Sequence, residues 1–217
     1  MLKRLGHNVH VLERSLSSER LEGGIGITIG PDALDFFRRY DLMKQPFSVS
    51  NLGFLFLDDE SKVKRFMKRP MEMSAWNRLH YNLRANFDGY KSSMYPEPLS
   101  SLKGDGEAVF SVGKKVINVE NTDGSAIVQY QDLLDGGLYS LEADLVIVAD
   151  GGSSQIRPLL LPQVQRKYAG YLAWRGCVDE SEVSDETGKI IDPNFTSYIC
   201  KGGYILRYDK TIVFPYM

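Results

Sequence analysis

The run NVHVLE, ending in Glu13, constrains this chain more than any other stretch. Ahead of it, Met1, Leu2 and Leu5 sit among basic residues and Gly6 follows, which reads as the end of a helix with a glycine stop. Helix, then an apolar strand closed by an acid, is the order of a β-α-β nucleotide-binding unit at its second strand. There a carboxylate accepts two hydrogen bonds from ribose hydroxyls, and Glu13 is the candidate acceptor. An exposed acid closing an ordinary strand is the plain alternative. Such a unit begins with a strand and a G-x-G-x-x-G turn whose amides, with the following helix N-terminus, hold a pyrophosphate. The expectation is that this chain begins after that turn. GIGITIG does not replace it, because Gly24, Gly26 and Gly30 have the wrong spacing and follow no strand of a β-α-β unit.

Further along, residues 15–30 read as a polar, glycine-rich connection and 31–43 as a helix with Pro31 in its first turn. Asp32 and Asp35 suit the positive end of its dipole, and Leu34, Phe36, Phe37 and Tyr40 give it an apolar face. Residues 52–60 alternate into an acidic turn, with 61–68 as the hairpin partner. Trp76, Leu79, Leu83 and Phe87 recur at helical spacing over 74–87, with Ser74 as N-cap. Residues 90–107, with Pro96 and Pro98, read as loop. Residues 116–132 predict two strands about Asp123-Gly124. From about residue 166 aromatic and β-branched residues predominate, predicting antiparallel sheet with Gly202-Gly203 as a turn.

Composition narrows the function. Of 217 residues, 25% are charged with a net charge of -2, so no electrostatic case for nucleic acid arises. Lys64, Arg65, Lys68 and Arg69 form a basic cluster that reads as a solvated loop rather than an anion site. No apolar run approaches the ~20 residues that span a bilayer, and no secretory signal is present. Cys177 and Cys200 suggest free thiols in a reducing, cytoplasmic compartment. His7, His10 and His80 show no metal-ligand spacing.

The second informative stretch is EADLVIVADGGSSQIRPLLL, residues 142–161. LVIVA at 145–149 predicts a buried strand, Asp150-Gly151 a turn open to close approach, and Ser154 a cap for a short helix stopped near Pro162. An ordinary strand-turn-helix junction is the alternative.

Asp-Gly followed by Ser and Arg at this spacing resembles the second fingerprint of the flavoprotein aromatic hydroxylases, which are single-component FAD-dependent monooxygenases. VHVLERS resembles their ribose-binding strand end. GGIGITIGPDALDFFRRYDLM resembles their glycine-flanked apolar segment with its helix. YAGYLAWRGCVDE and SAWNRLHYNLRANF resemble segments of a 2,6-dihydroxypyridine 3-monooxygenase-like branch. The likeness runs along the whole chain.

The resemblance implies an α/β fold: an incomplete Rossmann-like FAD-binding domain over 1–165, with an inserted β segment around 45–100, joined to an antiparallel β-sheet substrate domain beginning at 166–217. It implies FAD as cofactor, NAD(P)H as electron donor, and a small aromatic or heteroaromatic ring as substrate. Glu13 would bind the adenosine ribose, with Arg14 near the adenosine. Arg84 would lie on the phosphate or flavin side. Asp150 and Gly151 would hold the pyrophosphate region, and Arg157 would brace their turn. Tyr171, Trp174 and Arg175 are candidates for a ring pocket, the alternative being aromatic packing with a solvent-facing Arg. No catalytic base and no metal ligand is assigned.

Two parts of the family pattern are not found, the first glycine-rich turn and a later Gly-Asp followed by Ala and His, so truncation at both ends is expected. Trp76 stands where many relatives carry Arg. A non-catalytic remnant or mispredicted fragment without flavin, and a nucleotide-binding module without redox chemistry, are the competing readings.

Overall fold

A computed structural model describes residues 1–19, 26–99, 101–174, 176, 178–191 and 195–207. Among them run β1 (Val9–Leu12), β2 (Gly26–Ile29), α1 (Pro31–Tyr40), β3 (Val49–Leu57), β4 (Val63–Ala75), α2 (Trp76–Asp88), β5 (Ala108–Ser111), β6 (Lys114–Asn121), β7 (Ala126–Asp132), β8 (Leu138–Ala143), α3 (Arg157–Leu160), α4 (Asp185–Ile191), β9 (Phe195–Cys200) and β10 (Gly203–Arg207). The chain folds into two compact units. One comprises Leu21–Lys103 and Arg175–Met217 with Met1, the other Leu2–Arg20 and Gly104–Trp174.

In the second unit β1 and β5 form a parallel pair, Val9 beside Ala108 through Leu12 beside Ser111. The chain enters through a 3-10 turn, Leu2–Leu5, which ends at Gly6 in the left-handed region. Asp105 ties this turn down by pairing with Lys3 and Arg4, and the carbonyl of Lys3 accepts from the amide of Gly106 at 2.8 Å. Residue 106 must be glycine, because a Cβ there would lie 2.0 Å from the His7 carbonyl oxygen. β6, β7 and β8 form an antiparallel meander, β6 and β7 being joined as expected about Gly124 at φ 94°. The loop predicted up to residue 107 gives way to β5, a strand the sequence pattern did not separate.

Residues 145–149 correct another expectation. They form no ladder, and Leu145 and Ile147 are each 68% exposed, so LVIVA is not a buried strand here. An apolar run buries itself as a strand only where neighbours take its amides and carbonyls, and no described strand pairs with it. The aromatic stretch after 166 likewise forms no strand before β9, among its described residues.

The first unit is a five-stranded sheet ordered β10-β9-β3-β4-β2, parallel only between β3 and β9. The inserted segment of 45–100 thus shares one sheet with the chain after 195. The glycine-rich connection contributes a strand, β2, through its alternating GITI, while 20–25 lie outside the described residues. The basic cluster lies on β4 and not in a loop. α1 packs Phe37 against Ile29 and Leu79, with Leu34, Phe36 and Phe47 around them.

α2 departs from its predicted cap and face. β4 continues to Ala75 without a break, so Ser74 is a strand residue opposite Ile27 whose hydroxyl bonds the Phe47 carbonyl. Trp76 and Leu83 are exposed, and the buried face carries Leu79, Tyr81, Asn82, Arg84 and Ala85. Polar partners decide this. Asn82 donates to Asp41 (3.2 Å) and the Tyr95 hydroxyl (3.1 Å), and Asn86 donates to Asp41 (2.8 Å). That network seats Tyr81, Ala85 and Tyr95 in a second core cluster.

Candidate flavin and ring sites

Parallel strands place ligands beyond their carboxyl ends, because side chains and loop amides converge there. β1 and β5 end together at Leu12 and Ser111, and Glu13 follows directly. Its amide donates to the Ser111 carbonyl (2.8 Å) and its own carbonyl accepts from Lys114 (2.9 Å), which fixes the backbone. The Glu13 carboxylate receives the Ser15 amide at 2.7 Å, so its orientation is set from within the chain. Arg14 is exposed beside it. At the same pair, His10 Nε2 lies 2.8 Å from the Ser111 hydroxyl, and burial holds the imidazole below its ordinary pKa. A neutral ring suits that contact.

The Asp150-Gly151 turn forms a second, self-contained cluster. The Asp150 carboxylate accepts from the Gln155 amide at 3.0 Å and lies 3.5 Å from that of Ile156. Burial opposes its ionisation, yet bonds from Ser154 and these amides hold its carboxyl below the usual range. Ser154 accepts from the Arg157 amide at 2.8 Å, as a local cap does. Arg157 folds back so that its guanidinium donates to the carbonyls of Gly151 (2.6 Å) and Gly152 (3.3 Å). Gly151 has φ 78° with open space where a Cβ would stand. The amides of Gly151, Gly152 and Ser153 make no backbone hydrogen bond to described residues. With its carbonyls occupied by Arg157, the turn therefore offers donors.

The remaining predicted residues are dispersed. Arg84 lies in the other unit, buried, with three bonds to Asp88 (2.9, 3.2 and 2.7 Å) and its guanidinium 4.4 Å from the Tyr90 ring. Tyr171 and Trp174 are exposed, Trp174 by 93%. Arg175 lies outside the described residues. Sequence reading passed over Ser111 and the amides of 151–153. AVFSV ahead of Gly113 is a short alternating run that could have marked the former, whereas amides without a partner among the described residues leave no signature in side-chain types.

A parallel pair with an acid at its carboxyl end, in a chain that also carries a mostly antiparallel sheet, gives a mixed α/β fold shared with FAD-dependent hydroxylases. The chain matches the solved 2,6-dihydroxypyridine-3-hydroxylase from Arthrobacter nicotinovorans with a TM-score of 0.69 and 22% identity, over 91% of this chain and 44% of that one. In sequence it is 25% identical to 2,6-dihydroxypyridine 3-monooxygenase of Paenarthrobacter nicotinovorans, over 96% of this chain and 46% of the relative. It is 28% identical to 6-hydroxynicotinate 3-monooxygenase of Pseudomonas fluorescens, over 84% and 44%. The family described as FAD binding domain-like matches residues 168–212. Sequence and fold together relate this chain to the FAD-dependent ring monooxygenases. It spans less than half the length of the curated relatives it matches.

Proposed function

We propose that this chain carries the adenosine-ribose contact and part of the substrate sheet of an FAD-dependent monooxygenase acting on a small aromatic or N-heteroaromatic ring. The observation that supports it best is Glu13, oriented by the Ser15 amide at the carboxyl end of the β1–β5 pair. The residues fit the cofactor chemically: a fixed strand-end carboxylate suits ribose hydroxyls, and the open amides of 151–153 suit a phosphate or ribityl oxygen. When bound, FAD supplies the redox chemistry by which NAD(P)H and O2 are consumed, one oxygen atom entering the ring and the other leaving as water.

In this reading the chain's own groups bind and orient. Glu13 accepts from the ribose, Arg14 lies near the adenosine, and Arg157 keeps the Asp150-Gly151 turn in shape by holding its carbonyls. Arg84 acts through the position of α2, since its guanidinium is occupied by Asp88 and Tyr90. Residues 1–165 serve the flavin, and the substrate side begins at 166 with Tyr171, Trp174 and Arg175. A cytoplasmic location belongs to the same reading.

The test is reconstitution of purified protein with FAD, followed by NAD(P)H oxidation with a panel of hydroxypyridines. Retained flavin absorbance is expected, with no ring-dependent oxidation above that of free FAD, since the chain spans less than half the length of its curated relatives. A protein that stays colourless overturns the reading in favour of a remnant, and adenine-nucleotide binding without flavin favours a nucleotide-binding module.

A further inference from the structure

Two stretches of backbone in the second unit stand unpaired among the described residues. One is the outer edge of β1. The amides of Val9 and Glu13 point to β5, where they donate to the Glu107 and Ser111 carbonyls at 2.8 Å each. Successive residues of a strand turn their backbone groups to opposite sides, so the amides and carbonyls of His10 and Leu12 point outward. No described strand lies there. The other stretch is LVIVA, residues 145–149, which joins no ladder while Leu145 and Ile147 are each 68% exposed. An open strand edge and an exposed apolar run are both sites of association. Opposite charges flank them: Arg14 follows β1 and Asp144 precedes LVIVA. Both side chains are exposed, and neither makes a hydrogen bond or ion pair with a described residue.

We infer that LVIVA of one copy adds, antiparallel, to the open edge of β1 in a second copy, and that the exchange is mutual, giving a closed two-fold dimer. The flanking charges choose the register. With Asp144 opposite Arg14, Val146 stands opposite Leu12 and Val148 opposite His10. The backbone groups that β1 leaves open then meet those of Val146 and Val148 as hydrogen-bonded pairs. On the other face Ile147 meets Val11 and Ala149 meets Val9, apolar against apolar, while Asp150 falls opposite the uncharged Asn8. Other ways of covering the run are worse. LVIVA paired with itself across a two-fold axis sets Asp144 against Asp150 twice, and like charges directly opposite destabilise a sheet. Centred on the outer edge of β5 it sets Asp150 against Glu107. A parallel run on β1 brings Asp150 to Arg14, but the Asp150 carboxylate is already committed to the Gln155 amide. The dimer needs no flavin, so it goes beyond the function proposed above without resting on it.

The test is sedimentation velocity of the flavin-free full chain over a dilution series, for wild type, Arg14→Asp, Asp144→Arg, the two together, and Val148→Pro. Wild type should form a dimer. Each single reversal turns an attraction into a repulsion at both contacts of the dimer and should weaken association about tenfold or more. The double exchange should restore it, because the ion pair is rebuilt with its sign turned round. Val148→Pro should also weaken association, since proline removes the amide aimed at the His10 carbonyl. Its far-ultraviolet circular dichroism should match that of wild type, because the run joins no ladder within the chain. A monomeric wild type, open-ended polymers, a dimer indifferent to either charge, or a double exchange that stays monomeric overturns the inference.

Discussion

At the residue scale, two groups make distinct thermodynamic predictions. Thr196 is wholly buried, and its hydroxyl has no hydrogen-bond partner among the described residues. A buried hydroxyl without a partner costs about 1–3 kcal/mol, and a methyl group of the same shape removes that cost. Thr196→Val should therefore raise stability by about 1 kcal/mol in urea unfolding, and a fall in the midpoint would show that the hydroxyl is bonded. Asp150 predicts a pH dependence. Its folded pKa is depressed, so it stabilises the fold above the unfolded carboxyl value, about 3.9, and that contribution is lost as pH falls through the folded value. Asp150→Asn should flatten this acid limb, measured by thermal melts across the acidic range, and an unchanged limb would contradict the assigned bonds. Both features lay beyond sequence reading for one reason. Satisfaction of a polar atom depends on what packs around it, and nothing in TSY or ADGG states it.

At the element scale, α2 shows how polar partners override apolar periodicity. Trp76, Leu79, Leu83 and Phe87 mark a helix correctly, but the helix is rotated so that Asn82 and Asn86 reach Asp41. A buried network of this kind fixes one orientation only if every member is satisfied. Asn82→Ala should cost about 1–3 kcal/mol by leaving Asp41 and the Tyr95 hydroxyl short of a donor. A double mutant with Tyr95→Phe should recover part of that loss, and strict additivity would contradict the coupling. In the other unit, Gly106→Ala should destabilise by about 1–3 kcal/mol, because the new methyl meets the backbone of His7 and not a flexible side chain. A variant melting with wild type would show that this approach is looser than described. Hairpins were the most legible elements: Asp123-Gly124 and Gly202 each supply the positive φ that their turns demand. LVIVA was misread because its composition is right for a buried strand, while burial depends on neighbours that a local window does not contain.

At the scale of the whole molecule, the likeness to flavin-dependent hydroxylases was legible from two short stretches, NVHVLE and ADGGSSQIR. The structure gives each a physical form: a parallel pair closed by Glu13, and a turn braced by Arg157. The five-stranded sheet was legible only in its parts, because pairing β3 with β9 joins segments well over a hundred residues apart. The account turns on Glu13 as the ribose acceptor. Titrating FAD against wild type and Glu13→Gln tests it most directly, since glutamine keeps an oxygen for the Ser15 amide and removes only the charge. Hydrogen bonds to a charged group contribute about 1.5–3 kcal/mol, so the variant should bind FAD about tenfold more weakly or worse, with an unchanged melt. Equal dissociation constants for the two proteins would contradict the account.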